Sequence, residues 1–167
     1  MNYDEKEIQN PLETLDLKNY KSLHFKTKKN CVSQDPLFPI SNLERNNQNN
    51  GWVSEKFCSY PQKIIIKFDD YVNIKQINII INETKIPKKI QFINCIRISE
   101  NSNINRNEYK YENIGFIKLS SNEGSNYKSR EMRKIPINIY NANRIKLLIY
   151  DNYNNIFNPY NQVVIFS

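Results

Sequence analysis

At three places in this chain a large apolar residue returns at every second position: Ile64, Ile66 and Phe68; Ile77, Ile79 and Ile81; and Ile145, Leu147 and Ile149. Successive side chains of an extended strand point to opposite faces, so this spacing puts each trio on one buried face. Lys146 falls on the other face of the third run. Ile65, Ile80 and Leu148 also fall on second faces, which predicts that some strands are covered on both sides. β-branched enrichment and partial alternation extend the reading to strands over 22–27, 62–68, 74–82, 89–98, 114–119, 132–140, 144–150 and 162–167. Beyond the first twenty residues, no stretch longer than about ten carries a helical stripe. Short strands separated by polar turns predict an all-β fold, a two-sheet antiparallel β-sandwich, rather than an α/β fold.

The 167 residues suit one domain, large enough to fold without a disulfide or metal staple. Residues 1–20, with Leu12, Leu15 and Leu17 scattered among acids, read as an N-terminal extension that is partly disordered or forms a short helix. Residues 21–167 read as the domain. Two tracts read as loops: 41–50, ahead of Gly51, and the charged, Asn-rich 99–113. The 28 Asn and 25 Ile are what AT-rich coding produces, so the asparagines carry no specialised meaning here. The polar, acidic start is no signal peptide, and no apolar run approaches the roughly 18 residues of a membrane helix. Cys31, Cys58 and Cys95 form no C-x-x-C pair, and an odd count fits reduced thiols in an intracellular protein; a Cys31–Cys58 bridge is the alternative.

Catalysis has little to work with. His24 is the one histidine, set between Leu23 and Phe25 in a predicted strand, and it reads as structural or as surface. Asp69-Asp70, at a predicted strand end before Tyr71, reads as turn chemistry rather than an acid/base pair. No phosphate-cradling glycine loop and no H-E-x-x-H occurs, so no enzyme and no cofactor is expected. Glu123 and Asp151 are carboxylates that calcium would use, but no compact ligand sequence surrounds them and no metal is expected. Formal net charge is +7, with basic clusters at Lys26/Lys28/Lys29, Lys85/Lys88/Lys89 and Lys128/Arg130/Arg133/Lys134. Such clusters can attract acidic protein tails, nucleic acid or anionic lipid. Solvated lysine is the reading favoured here. No RNA-reading motif interleaves the aromatics, so no nucleic-acid partner is expected.

The most specific segment is Gly51-Trp52-Val53-Ser54-Glu55-Lys56-Phe57-Cys58-Ser59-Tyr60-Pro61-Gln62, which holds the sole Trp. Trp52, Phe57 and Tyr60 read as sandwich-end packing, each worth about 2–3 kcal/mol by burial. The competing reading makes Trp52 an exposed anchor. Further informative stretches are Ile114–Glu123, Ser129–Met132 and Tyr160–Val163. In order and spacing these motifs resemble the N-terminal domain of the centrosomal protein of 104 kDa family. That pattern runs G-W-x-S-x-x-F-C-x-Y/F-P-Q, I/L-G-Y/F-V/I-x-L-x-x-N-E, S/A-R-E-L/M and Y-N-Q-V. The likeness extends from about Leu23 to Phe166; the acidic extension and the 99–113 tract have no place in it.

The resemblance implies a galactose-binding-like, discoidin-like jelly roll, in accord with the strand reading. It also implies a non-catalytic interaction module of a centrosomal or ciliary-tip, microtubule-associated protein. The partner would be a cytoskeletal or centrosomal/ciliary protein, with tubulin reached indirectly, and the address cytoplasm and cytoskeleton at centrosome, basal body or cilium. The alternative is a small-ligand module for carbohydrate or lipid, as jelly rolls of this shape often are. Candidate partner-binding residues are Trp52, Tyr127, Arg130, Glu131, Tyr160 and Asn161, on the loop before Trp52, the 120–131 turn and the turn before the last strand. Arg130 and Glu131 are free to pair with each other or across strands.

Overall fold

The computed structural model describes residues 6–9, 17–28, 33–45, 51–100 and 107–166. Strands are β1 (Lys26–Thr27), β2 (Trp52–Val53), β3 (Gln62–Ile81), β4 (Pro87–Glu100), β5 (Asn107–Lys118), β6 (Glu131–Asn152) and β7 (Val164–Phe166). All named strand pairs are antiparallel, in the order β2-β7-β3-β6-β4-β5, with β1 on β3.

Two very long strands make a two-layered molecule out of this continuous ladder. The pairing of β3 with β6 is regular from Gln62↔Ile149 to Lys67↔Arg144 and again from Gln76↔Pro136 to Ile81↔Glu131. Register shifts between Lys67 and Gln76 separate the two stretches, and such bulges bend a strand and re-aim it. One layer therefore holds β1, the first half of β3, the second half of β6, β4 and β5; the other holds β2, β7 and the remaining halves. Pro136 fits this geometry, because β4 pairs β6 only over Arg144–Asn152, leaving Pro136 where β6 is an edge.

The alternating trios do what their spacing predicts. Ile64, Phe68, Ile79, Ile81, Ile145, Leu147 and Ile149 are buried in one cluster with Ile90, Phe92 and Trp52, so both layers turn their inner faces to the same core. The predicted all-β antiparallel sandwich is the observed architecture. Its strands are divided differently, however: 62–68 with 74–82, and 132–140 with 144–150, are each one strand carried through a corner. Asp69 and Asp70 lie within β3 at that corner and not in a chain-reversing turn. Predicted strand 22–27 shrinks to Lys26–Thr27, and His24 is exposed before it.

The 99–113 tract, read as a loop, is mostly strand: it extends β4 to Glu100 and opens β5 at Asn107, with 101–106 outside the described residues. Tyr109 and Tyr111 alternate there with Glu108, Lys110 and Glu112, and Arg97 pairs Tyr109. Tract 41–50 contains a 3-10 turn over Ile40–Arg45 that buries Ile40 and Leu43; 46–50 lie outside the described residues. In the N-terminal extension, Leu17–Asn19 form a 3-10 turn, and Leu12 and Leu15 lie outside the described residues. Glu7 forms a parallel bridge with Phe116, and Ile8 packs on the core. Cys58 is half-buried and Cys95 buried, both free thiols, while Cys31 lies outside the described residues. Among the described residues no helix is long and apolar enough to cross a membrane.

Candidate functional site

Because β3 doubles back at its corner, both of its ends arrive at one end of the sandwich. Just before it, the Tyr60 hydroxyl donates to the Asn161 carbonyl (2.9 Å); just after it, the Thr84 carbonyl accepts from Asn155 Nδ2 (2.8 Å). Asn122 Nδ2 donates to the Glu83 carbonyl (3.0 Å), which brings the 119–130 connection to the same place. A buried amide network fixes the base of this end. Gln162 Nε2 donates to the Ser54 carbonyl (2.8 Å), Gln162 N to Asn158 Oδ1 (3.0 Å) and Asn158 Nδ2 to the Gln162 carbonyl (2.7 Å). Buried amides survive only when so satisfied, which accounts for the N-x-x-x-Q spacing ahead of β7.

The Gly51–Gln62 segment builds the floor. Gly51 has no room for a side chain: an added Cβ would sit 2.4 Å from the Ile165 carbonyl oxygen. Trp52 is 0% exposed and its Nε1 donates to the Ser33 carbonyl (3.0 Å). Trp52 therefore cannot touch a partner; among the candidate anchors it is a scaffold residue. Gln62 accepts from Ser33 N (3.0 Å) and Ser33 Oγ (2.7 Å), so motif residues at both ends of the segment hold the same serine. Burial is the first cause that raises the Tyr60 phenol well above its ordinary value, followed by its hydrogen bond to Cys58.

Phe57 departs from the expected packing. It is 70% exposed, with its backbone in the left-handed region (φ 55°) and its N–H donating to the Tyr160 carbonyl (2.8 Å). The Phe57 and Tyr160 rings meet edge to face, centroids 5.9 Å apart, and Lys56 Nζ lies 4.3 Å above the Tyr160 ring. A second edge-to-face pair, Tyr127 with Phe157 at 5.3 Å, lies further along, and Tyr127 is also left-handed (φ 56°). Ile156, next to Phe157 in sequence, is 86% exposed. The 156–160 turn thus carries one aromatic side chain into each pair, Tyr160 into the first and Phe157 into the second, and with Ile156 makes one apolar ridge. Bulky residues at positive φ are uncommon and cluster at ligand clamps and switches.

Tyr160 and Tyr127 are together on the ridge. Asn161 contributes backbone only, as the acceptor for Tyr60, with φ 54°. Arg130 and Glu131 do not pair with each other. Arg130 Nε meets Glu83 Oε1 at 2.6 Å and its guanidinium lies 4.5 Å over the Phe166 ring; Glu131 Oε1 takes Arg133 at 2.9 Å. Sequence reasoning missed Ile156 and Phe157, hidden in an Asn-rich turn, and read Phe57 as buried sandwich-end packing. The signal available was that Phe57 follows polar Glu55-Lys56 with no alternation to bury it.

The charged groups around the ridge hold one another. Lys88 donates to Asp151 Oδ2 (2.6 Å), and that bond lowers the Asp151 carboxyl below its ordinary value. Lys85, lowered by burial, donates to Gln162 Oε1 (2.9 Å). The Tyr127 phenol is raised, first by desolvation and then by the neighbouring Glu123 charge. Asp151 and Glu123 are thus committed to Lys88 and Tyr127, and no group of three or more metal-ligating side chains forms among the described residues. The arrangement can hold an apolar surface with a charged fringe.

Among solved structures, the chain resembles a family 32 carbohydrate-binding module from C. perfringens NanJ in complex with galactose. The TM-score is 0.57 and the identity 13%, over 85% of this chain and 89% of that one. It also resembles a chain in reduced XRCC1 bound to the DNA pol beta catalytic domain (TM-score 0.60, 13% identity, 87% and 98% covered). These likenesses establish the galactose-binding-like jelly-roll fold. Human "Centrosomal protein of 104 kDa" is 27% identical over 115 residues, 69% of this chain, which spans only 12% of that protein's length. Residues 51–167, which include the glycine under Ile165 and the turn that carries the ridge, match one family pattern, and the chain belongs to that family: Centrosomal protein CEP104, N-terminal domain.

Proposed function

We propose that this jelly roll is a non-catalytic docking module of a centrosomal or ciliary, microtubule-associated protein, and that it takes a cytoskeletal or centrosomal protein on its loop end. The observation that carries the reading is the ridge of exposed Phe57, Tyr160, Ile156 and Phe157 with half-buried Tyr127, built on two left-handed aromatic residues. Exposed aromatic anchors beside a cation are what partner surfaces use for affinity, and Lys56 lies over the Tyr160 ring. Family membership supports a centrosomal address. It does not by itself carry the role of the much longer relatives to this chain.

Recruitment in dividing cells is the test. The chain fused to a fluorescent protein is expected to concentrate at centrosomes, and the Phe57→Ser/Phe157→Ser double variant to lose that focus while keeping its circular-dichroism spectrum. Arg130→Glu is expected to weaken it. An unchanged focus in the double variant would remove the ridge from the reading. Saturable binding of the purified chain to galactosides or liposomes would favour a carbohydrate or lipid module instead.

A further inference from the structure

A second surface lies on the outer face of the layer formed by β1, β3, β6, β4 and β5, away from the ridge. Residues directly opposite in an antiparallel pair share a face. Lys26 stands opposite Lys67, and Lys67 opposite Arg144, so three cations form one row across three neighbouring strands. Adjacent strands are about 4.8 Å apart, and like charges directly opposite disfavour pairing. The core does not require this row; Ile64, Ile66, Ile145 and Leu147 fill the inner face.

Lys63 and Lys146 extend the same outer face, alternating with the inward isoleucines. Arg144 lies 4.6 Å over the Tyr109 ring and Lys146 3.9 Å over Tyr111. These contacts fix where the two charges sit. Arg144 Nε is enclosed and has no acceptor among the described residues. Asp69, 3.3 Å from Lys26 and mostly exposed, is a counter-charge at the end of the row. Beside Lys146 is a depression of about 200 Å³, lined also by Gln91, Ile93, Tyr111 and Asn113.

We propose that this face binds an extended, Asp/Glu-rich segment of a partner protein. Charge complementarity names the occupant: the chain's net charge is +7, and this face sets cations in a repeating row. Alternate side chains of an extended segment recur about every 7 Å, the spacing of Arg144 and Lys146 along β6. Single-stranded nucleic acid would need open rings on which bases stack, and the Tyr109 and Tyr111 rings each already hold a cation over one face. A bilayer would need a protruding apolar wedge, whereas Ile65 and Leu148 on this face are half-buried.

The experiment is fluorescence anisotropy on the full chain with three probes at equal salt: a labelled deca-glutamate peptide, a labelled deca-thymidine oligonucleotide, and phosphatidylserine-containing vesicles. Binding of deca-glutamate is expected, weakening as salt shortens the Debye length toward about 8 Å. Lys63→Glu/Lys67→Glu is expected to lower that affinity about tenfold, and Lys63→Gln/Lys67→Gln to lower it less. Lys128→Glu/Lys134→Glu, an equal charge change elsewhere, is expected to shift it less than about threefold. No binding of the peptide, equal losses in the two charge-reversed variants, or tighter binding of oligonucleotide or vesicle would each overturn the proposal.

Discussion

Arg130 reaches across 47 residues of chain to Glu83, Nε to Oε1 at 2.6 Å, instead of pairing with the glutamate beside it. Its guanidinium also covers the Phe166 ring, so a single side chain ties the turn before β6 to the turn after β3 and to the last strand. The pair is partly exposed, at 44% and 27%. An exposed ion pair contributes about 0–1 kcal/mol, and the ring contact about 0.5–1 kcal/mol.

Arg130→Glu places two carboxylates together and removes the ring contact. A loss of about 1–2 kcal/mol is expected, read as a melting temperature lower by several degrees with the unfolding transition still cooperative. Glu83→Gln is expected to cost less than about 1 kcal/mol, since the ring contact remains. A change in Glu83→Gln as large as in Arg130→Glu would show that the ring contributes nothing.

Trp52→Ala removes the largest buried side chain and leaves the Ser33 carbonyl without its donor. Urea unfolding should report a loss of about 3–5 kcal/mol. Trp52→Phe keeps most of the volume and should cost less, with the unpaired carbonyl accounting for about 1–3 kcal/mol. Equal costs for the two variants would contradict this division.

Tyr60 carries an alkaline signature. Its folded value is raised above the ordinary phenol value of about 10, so the stability it contributes is fully present below that pH and is lost as pH rises toward the folded value. Wild-type stability should therefore decline above about pH 10. Tyr60→Phe should flatten that decline while losing the hydrogen bond to Asn161 at every pH. Parallel pH profiles would show that other groups cause the alkaline loss.

Asp151 works in the opposite direction. Its folded value is depressed by Lys88, so its contribution is present above the ordinary carboxylate value of about 3.9 and lost as pH falls through the lower folded value. Both side chains are about half exposed, so the effect is small. Asp151→Asn should reduce the steepness of acid unfolding slightly, and high salt should have a similar effect on the wild type.

Gly115 has φ 141°, and a Cβ there would lie 2.6 Å from the Lys6 carbonyl. Gly115→Ala should detach residues 6–9 from β5. Hydrogen exchange should then speed up at Phe116 N–H, which donates to that carbonyl at 3.0 Å, while β3 and β6 amides stay protected. Unchanged protection at Phe116 would mean that the segment tolerates the methyl group.

The inner faces were readable because alternation is a local property: Ile77, Ile79 and Ile81 have to share a side wherever the chain goes next. The corners were not. Whether Asp69-Asp70 ends a strand or rides through a bulge depends on the flanking pairs Lys67↔Arg144 and Val72↔Ala142, whose partners lie far along the chain. Tyr109 and Tyr111 were obscured by asparagines, although their alternation was present. At the loop end, Tyr127 and Tyr160 were identifiable as bulky residues in polar turns. Phe57 and Phe157 were not, because the left-handed backbone at Phe57 and the edge-to-face contacts of both rings are things no spacing rule encodes.

The doubling of β3 and β6 also has a practical side. Their corners, where Asn141 N–H donates to Asn73 Oδ1, lie at the rim opposite the ridge, and Tyr71 and Asn141 are exposed there. A reporter dye or immobilising handle attached at that rim would leave the aromatic end unobstructed for measuring capture on a sensor surface.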